Sequence, residues 1–130
     1  MNHSQKWSNR VVCVASLFAG CGAAHLIDDF LYGVPAEFHM TNESAQVLGM
    51  LFFVALIGLI ALAGRGSRQS YVGLIVIGLL LAASDLTKHV PEMVSITPYR
   101  STLSQGLIIG LIVSGLATAA VSYAALRATK

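Results

Sequence analysis

Charged residues are scarce in this sequence. Asp, Glu, Lys and Arg make up 11% of its 130 residues, whereas a typical soluble domain has roughly 25%. Hydrophobic residues account for 55% of the chain, and the mean hydropathy is +0.73. Because so few charges cannot coat a water-facing surface, the composition excludes an ordinary soluble domain. It indicates that a lipid bilayer surrounds most of the chain and is its main partner.

Cysteines and basic clusters are also few. Cys13 and Cys21 lie eight residues apart on one predicted helix, a separation of about 12 Å that is too long for a disulfide. The Lys and Arg residues are scattered rather than interleaved with aromatic residues, so we predict no nucleic-acid binding. The chain lacks a His-Glu-x-x-His or Cys-x-x-Cys motif. It therefore carries no reaction-specific signature, and a protein without enzymatic activity is favoured.

Long apolar runs, by contrast, occur four times along the chain. A membrane-spanning helix needs about 20 mostly apolar residues, and only helices satisfy all backbone groups within such separate segments. We therefore predict an all-α integral membrane four-helix bundle, formed by one transmembrane domain over residues 1–130. The predicted spans are residues 11–34, 45–64, 71–90 and 103–126, of which the first ends at Val34-Pro35 and the third at Pro91.

The basic residues indicate how these spans are oriented. Most of them precede the first span, separate the second from the third, or follow the fourth, whereas the other two loops contain only Arg100. The positive-inside rule then puts both termini and the middle turn in the cytoplasm. We predict a multi-pass protein of the plasma (inner) membrane. The residues that set this orientation are Lys6, Arg10, Arg65, Arg68, Arg127 and Lys130.

The first span has an alternative interpretation as a cleaved signal. Its two preceding basic residues and its small residues Gly22-Ala23-Ala24 fit a secretory signal peptide, and Phe18-Ala19-Gly20-Cys21 is similar to a lipoprotein box. Cleavage would leave three spans with the same loop orientation. The two interpretations therefore make the same prediction about the loops.

An internal repeat favours a retained first span. An offset of 56 residues aligns the first span with the third, so each half of the chain would be one helical hairpin. Two such hairpins would be tandem parallel repeats about an axis along the membrane normal, an arrangement known in transporters. The aligned pairs are Asp29 with Asp85, Val34 with Val90, Pro35 with Pro91 and Thr41 with Thr97.

Ionisable residues within the first and third spans carry the candidate chemistry. Residues spaced by three, four or seven share a helix face, so each span presents one polar stripe at a similar depth. Insertion of such residues near the bilayer centre costs about 2.5–3.5 kcal/mol, which indicates a function. We predict that Asp85 pairs with Lys88 or His25, and that Asp29 pairs with His89. The polar cluster comprises His25, Asp28, Asp29, Asp85, Lys88, His89 and Glu92.

Several functions are compatible with this polar cluster. Histidine titrates near neutral pH, which favours proton-coupled transport or a channel-like role as the leading hypothesis. Imidazole together with carboxylate also suits a divalent metal ion as cofactor, although Lys88 would repel a cation. A non-catalytic partner subunit is the third hypothesis, and the polar residues could instead lie in the outer headgroup region. The predicted metal ligands are His25, Asp29, Asp85 and His89.

Small residues on the fourth span predict close helix packing. Gly106, Gly110, Ser114 and Thr118 recur at four-residue spacing, which lets helix backbones approach each other. Packing inside one bundle is favoured over a dimer interface. Because four helices enclose little volume, a transport path would require a homo-oligomer.

One short stretch resembles a known family. The run His25-x2-Asp28-Asp29-x3-Gly33-x-Pro35 is similar to the first-helix region of some major facilitator transporters, which carry a spaced His, Asp, Gly and Pro there. Those transporters have many more spans than this chain can form. The resemblance therefore assigns the chain to no family.

Overall fold

A computed structural model describes residues 3–95 and 100–129, apart from the side chain of His3. Within these residues the chain is almost entirely helical and contains no strand, which confirms the predicted all-α class. All helices except α2 are long and apolar enough to cross a membrane, which confirms four candidate spans and indicates a membrane protein. The helices are α1 (His3–Leu31), α2 (Val34–Glu37), α3 (Asn42–Gly64), α4 (Arg68–Ser95) and α5 (Thr102–Ala128).

Two helices end at residues other than the predicted span ends, and the span boundaries stay predictions. Helix α1 ends at Leu31, before residue 34, and Gly33 adopts a left-handed φ of 74° before α2. Helix α4 continues past Pro91 to Ser95. Pro91 lacks an N–H group and so removes one helical hydrogen bond. The extra turn is retained because Val90 and Met93 pack against a buried cluster that includes Ile108 of α5.

The four long helices form an up-and-down bundle. Helix α5 packs against α1 and α4, α3 packs against the same two helices, and α1 and α4 run parallel across the bundle. The end that carries the α3–α4 turn is called here the turn end, and the opposite end the α2 end. Near the turn end, the Ser8 and Tyr71 hydroxyls are 2.9 Å apart. Nearer the α2 end, the ring centroids of His25 and His89 are 5.2 Å apart.

Helices α4 and α5 make a close approach at a pair of glycines. A β-carbon on Gly78 would lie 2.5 Å from the Gly115 carbonyl oxygen. In the predicted packing stripe of α5, Ser114 and Thr118 are buried. A β-carbon on Gly110 would lie 3.5 Å from Cys21 Sγ, whereas one on Gly106 would meet no atom within 4 Å. The tightest approach among the described glycines therefore lies outside the Gly106-x3-Gly110 motif.

The predicted tandem repeat receives no support from the register of α1 and α4. Residues that face each other across these helices are 63 or 64 positions apart, as in Ser8 with Tyr71 and His25 with His89, whereas the repeat requires 56. The difference places Asp29 about two helical turns beyond Asp85 along the bundle axis. Thr97, one of the aligned residues, lies outside the described residues. The repeat and the cytoplasmic position of both termini stay predictions.

Candidate functional site

Three side chains of the polar cluster meet between α1 and α4. His25, Asp85 and His89 are each at most 6% exposed, and one donor atom from each lies within 4.8 Å of the others. Asp85 and His89 are four residues apart and therefore share the face of α4 that points towards α1. The two imidazole rings are nearly perpendicular, with an interplanar angle of 87°. Two imidazoles and one carboxylate thus converge in the interior of the bundle.

Two buried atoms of this group lack a hydrogen-bond partner. Among the described residues, His25 Nδ1 and Asp85 Oδ2 are buried and have no hydrogen-bond partner. Burying a polar atom without a partner costs about 1–3 kcal/mol, so each such atom requires an explanation, such as a bound ion. A ligand held between His25 and Asp85 would satisfy both atoms.

Each histidine is held by a carboxylate one turn further along its own helix. His25 Nε2 lies 3.5 Å from Asp29 Oδ2, and His89 Nδ1 lies 3.2 Å from Glu92 Oε2. Carboxylates in this position fix the orientation and tautomer of imidazoles that bind metals. Asp29 and Glu92 therefore lie behind the two histidines rather than between them.

Arg100 compensates the negative charge of the two carboxylates of α1, Asp28 and Asp29. Its Nη1 donates a hydrogen bond of 2.7 Å to Asp29 Oδ1 and lies 3.8 Å from Asp28 Oδ2. The buried hydroxyl of Ser104 donates to Asp28 Oδ1 at 2.9 Å. Sequence reasoning missed both residues as members of the site. Arg100 is the sole Lys or Arg between the third and fourth spans, which is the signal that could have found it.

The structure corrects one predicted ion pair, that of Asp29 with His89, and favours one of the two partners predicted for Asp85. Asp85 and Lys88 do not pair, because Lys88 Nζ donates to Glu37 Oε2 at 3.3 Å and lies 4.0 Å from the ring centroid of Phe38. Asp29 is predicted to pair with His89, but its carboxylate contacts Arg100 and His25. The alternative partner predicted for Asp85, His25, does lie beside it.

A cavity of about 400 Å³ lies next to His25, Asp85 and His89. Its volume falls within the range of small-molecule sites, which is about 300–1,000 Å³. These three residues line the cavity together with Asp29, Ser84 and Lys88, and the rest of the wall is mostly apolar. The site therefore has room for a further ligand beside the polar group. The apolar wall includes Leu26, Leu48, Phe52, Phe53, Leu81 and Leu111.

No protein-family model, curated protein or solved structure matches this chain. Its short resemblance to major facilitator transporters is thus not accompanied by a family match.

Proposed function

We propose that this protein binds a divalent transition-metal ion inside the membrane through His25, Asp85 and His89. The observation that carries the proposal is the convergence of these buried side chains, with His25 Nδ1 and Asp85 Oδ2 unsatisfied. Imidazole with carboxylate suits zinc or iron. Three protein ligands leave one coordination position open on a tetrahedral ion. That position would face the cavity.

The position of Lys88 removes the main objection to a cation at this site. Its ammonium is held by Glu37 and Phe38, away from Asp85. Glu92 behind His89 adds negative charge near the ion, whereas the charge of Asp29 is compensated by Arg100. Because Asp29 is bound to Arg100, we propose that it orients His25 instead of serving as the metal ligand predicted from the sequence.

Metal binding would draw the three side chains together. Bonds of about 2.0–2.2 Å to a tetrahedral ion place donor atoms roughly 3.5 Å apart. The donors here lie within 4.8 Å of one another, so small side-chain rotations suffice. His25 and His89 are held by one carboxylate each, and the bound ion would fix their positions further.

Proton-coupled transport or a channel-like role is the second candidate, because the cavity beside His25, Asp85 and His89 could admit a small solute. Towards the turn end, however, buried Phe18, Leu56, Leu74 and Tyr71 fill the bundle. Within the described residues the cavity therefore ends on an apolar core. Transport would require a rearrangement or a homo-oligomer, and it is tested by proton flux in liposomes with Asp85→Asn. A partner subunit without chemistry would leave both flux and metal binding at zero.

The metal proposal is tested by titrating the metal-free protein in mild detergent with Co²⁺ and recording visible absorption. We expect wild type to bind about one equivalent with the bands of a tetrahedral site. Asp85→Asn should weaken binding by at least about tenfold. Glu43→Gln, which changes an exposed carboxylate at the start of α3, should behave as wild type. Failure of folded wild-type protein to bind Co²⁺, or equal binding by Asp85→Asn, would overturn the proposal.

A further inference from the structure

The cavity separates the α2-end halves of α3 and α4. At the turn end these helices are in contact, since the Tyr71 hydroxyl donates to the Ala63 carbonyl oxygen at 3.3 Å. Towards the α2 end their partners differ. Helix α3 packs on α1, with Leu26 directly over Gly49, whereas α4 packs on α5 through the cluster of Ala82, Ile108 and Ile112. The cavity lies in the resulting gap, and residues of both α3 and α4 line it.

This gap opens sideways out of the bundle. Leu48 of α3 and Ser84 of α4 line the cavity and are both exposed. Ser84 lies thirteen residues beyond Tyr71, about 20 Å along α4. In a hydrocarbon layer about 30 Å thick, the opening therefore faces lipid chains of the leaflet at the α2 end. Lys88 lies one turn further towards the headgroups, half-buried at the rim of the cavity.

The cavity suits an amphiphilic ligand with one hydrocarbon chain and an anionic head group. Leu26, Phe52, Phe53 and Leu81 give the cavity an apolar interior. A divalent ion with a single anionic ligand keeps a net positive charge, so a carboxylate suits its open position. A volume of about 400 Å³ lies near the lower end of the range for small-molecule sites. It suits one acyl chain better than the two chains of a phospholipid.

We propose that the cavity binds a long-chain fatty acid that enters sideways from the membrane between α3 and α4. Its carboxylate would bind the metal ion, and its chain would lie against the apolar wall. The proposed position of the fatty-acid carboxylate depends on the metal site proposed above. The proposed position of its hydrocarbon chain depends only on the cavity and its lateral opening.

Binding of radiolabelled palmitate to the full-length protein in nanodiscs tests this proposal, with zinc content measured on the same samples. We expect zinc-loaded wild type to bind about one palmitate saturably, and chelation to weaken binding at least about tenfold. Leu48→Trp, at the opening, should weaken palmitate binding at least tenfold with unchanged zinc. Leu51→Trp is the matched control, because Leu51 is an exposed leucine of α3 outside the cavity lining.

The outcomes separate this proposal from the metal site. Stoichiometric zinc without saturable palmitate binding overturns the fatty-acid proposal and leaves the metal site intact. The same conclusion follows if hexadecanol competes as well as palmitate, or if Leu48→Trp binds palmitate as wild type does. If folded wild-type protein binds no zinc, the metal site fails, and the carboxylate anchor fails with it.

Discussion

At the scale of the residue, Asp29 illustrates how a carboxylate is accommodated in an apolar bundle. It contacts Arg100 on one side, at 2.7 Å, and His25 on the other, at 3.5 Å. A buried charge is tolerated when it is paired and hydrogen-bonded, and removal of one partner leaves the other uncompensated. Arg100 thus joins the start of α5 to the α2 end of α1.

Loss of Arg100 should destabilise the fold. We expect Arg100→Gln to lower the free energy of unfolding by about 3 kcal/mol, because the buried Asp28 and the partly buried Asp29 would lose their cation. The exposed Arg127 is the control, and Arg127→Gln should change the free energy by less than about 1 kcal/mol. Unfolding by SDS titration in mixed micelles measures both variants. Equal effects of the two substitutions would contradict the role given to Arg100.

The carboxylates that contact the histidines should affect the zinc affinity of the site without binding the metal ion themselves. Asp29→Asn and Glu92→Gln are each expected to lower zinc affinity about 10–100-fold, because the imidazoles lose their orienting partners. A competition titration against a chromophoric chelator measures the change. Glu43→Gln, at the exposed start of α3, is the control. If Glu92→Gln binds zinc as tightly as wild type, the orienting role assigned to Glu92 is wrong.

At the scale of the element, the existence of the helices was predictable but their ends were not. Apolar runs of span length leave the backbone few alternatives to a helix. The continuation of α4 beyond Pro91, however, depends on Val90 and Met93 packing on a cluster that includes Ile108, which is distant in sequence. The end of α1 depends on the conformation of Gly33. Neither is visible in the hydropathy pattern.

The candidate site was predictable to a similar degree. Helical spacing alone identified the stripes that contain His25, Asp85 and His89, and these residues do meet. The choice of partners depended on the segment before α5, which brings Arg100 to Asp29. It also depended on α2, which holds Lys88 away from Asp85 through Glu37. Both are tertiary contacts between segments far apart in the chain.

Glycine substitutions test which helix contact is the tight one. We expect Gly78→Ala to destabilise the protein by about 1–3 kcal/mol, because its methyl group would overlap the Gly115 carbonyl oxygen. Gly106→Ala has open space and should be neutral or stabilising by up to about 1 kcal/mol. Both are measured by SDS unfolding. A larger loss for Gly106→Ala would contradict the described packing of α4 on α5.

At the scale of the whole molecule, the orientation in the membrane decides which side supplies the metal. The proposed orientation puts the turn end in the cytoplasm and the metal site in the outer half of the bilayer. A fluorescent protein fused after the C-terminus should fluoresce, and alkaline phosphatase fused there should be inactive. A phosphatase inserted after His39, in the exposed segment between α2 and α3, should be active. The opposite pattern would reverse the proposed orientation.

Elemental analysis of the protein, purified in mild detergent without added metal, tests the metal site most directly. The comparison is a His25→Gln/His89→Gln double variant, with helicity checked by circular dichroism. We expect about one equivalent of a transition metal in wild type and its loss from a variant that is still helical. Equal metal content in both proteins, or metal-free wild type even after incubation with zinc and iron, would contradict the proposed site.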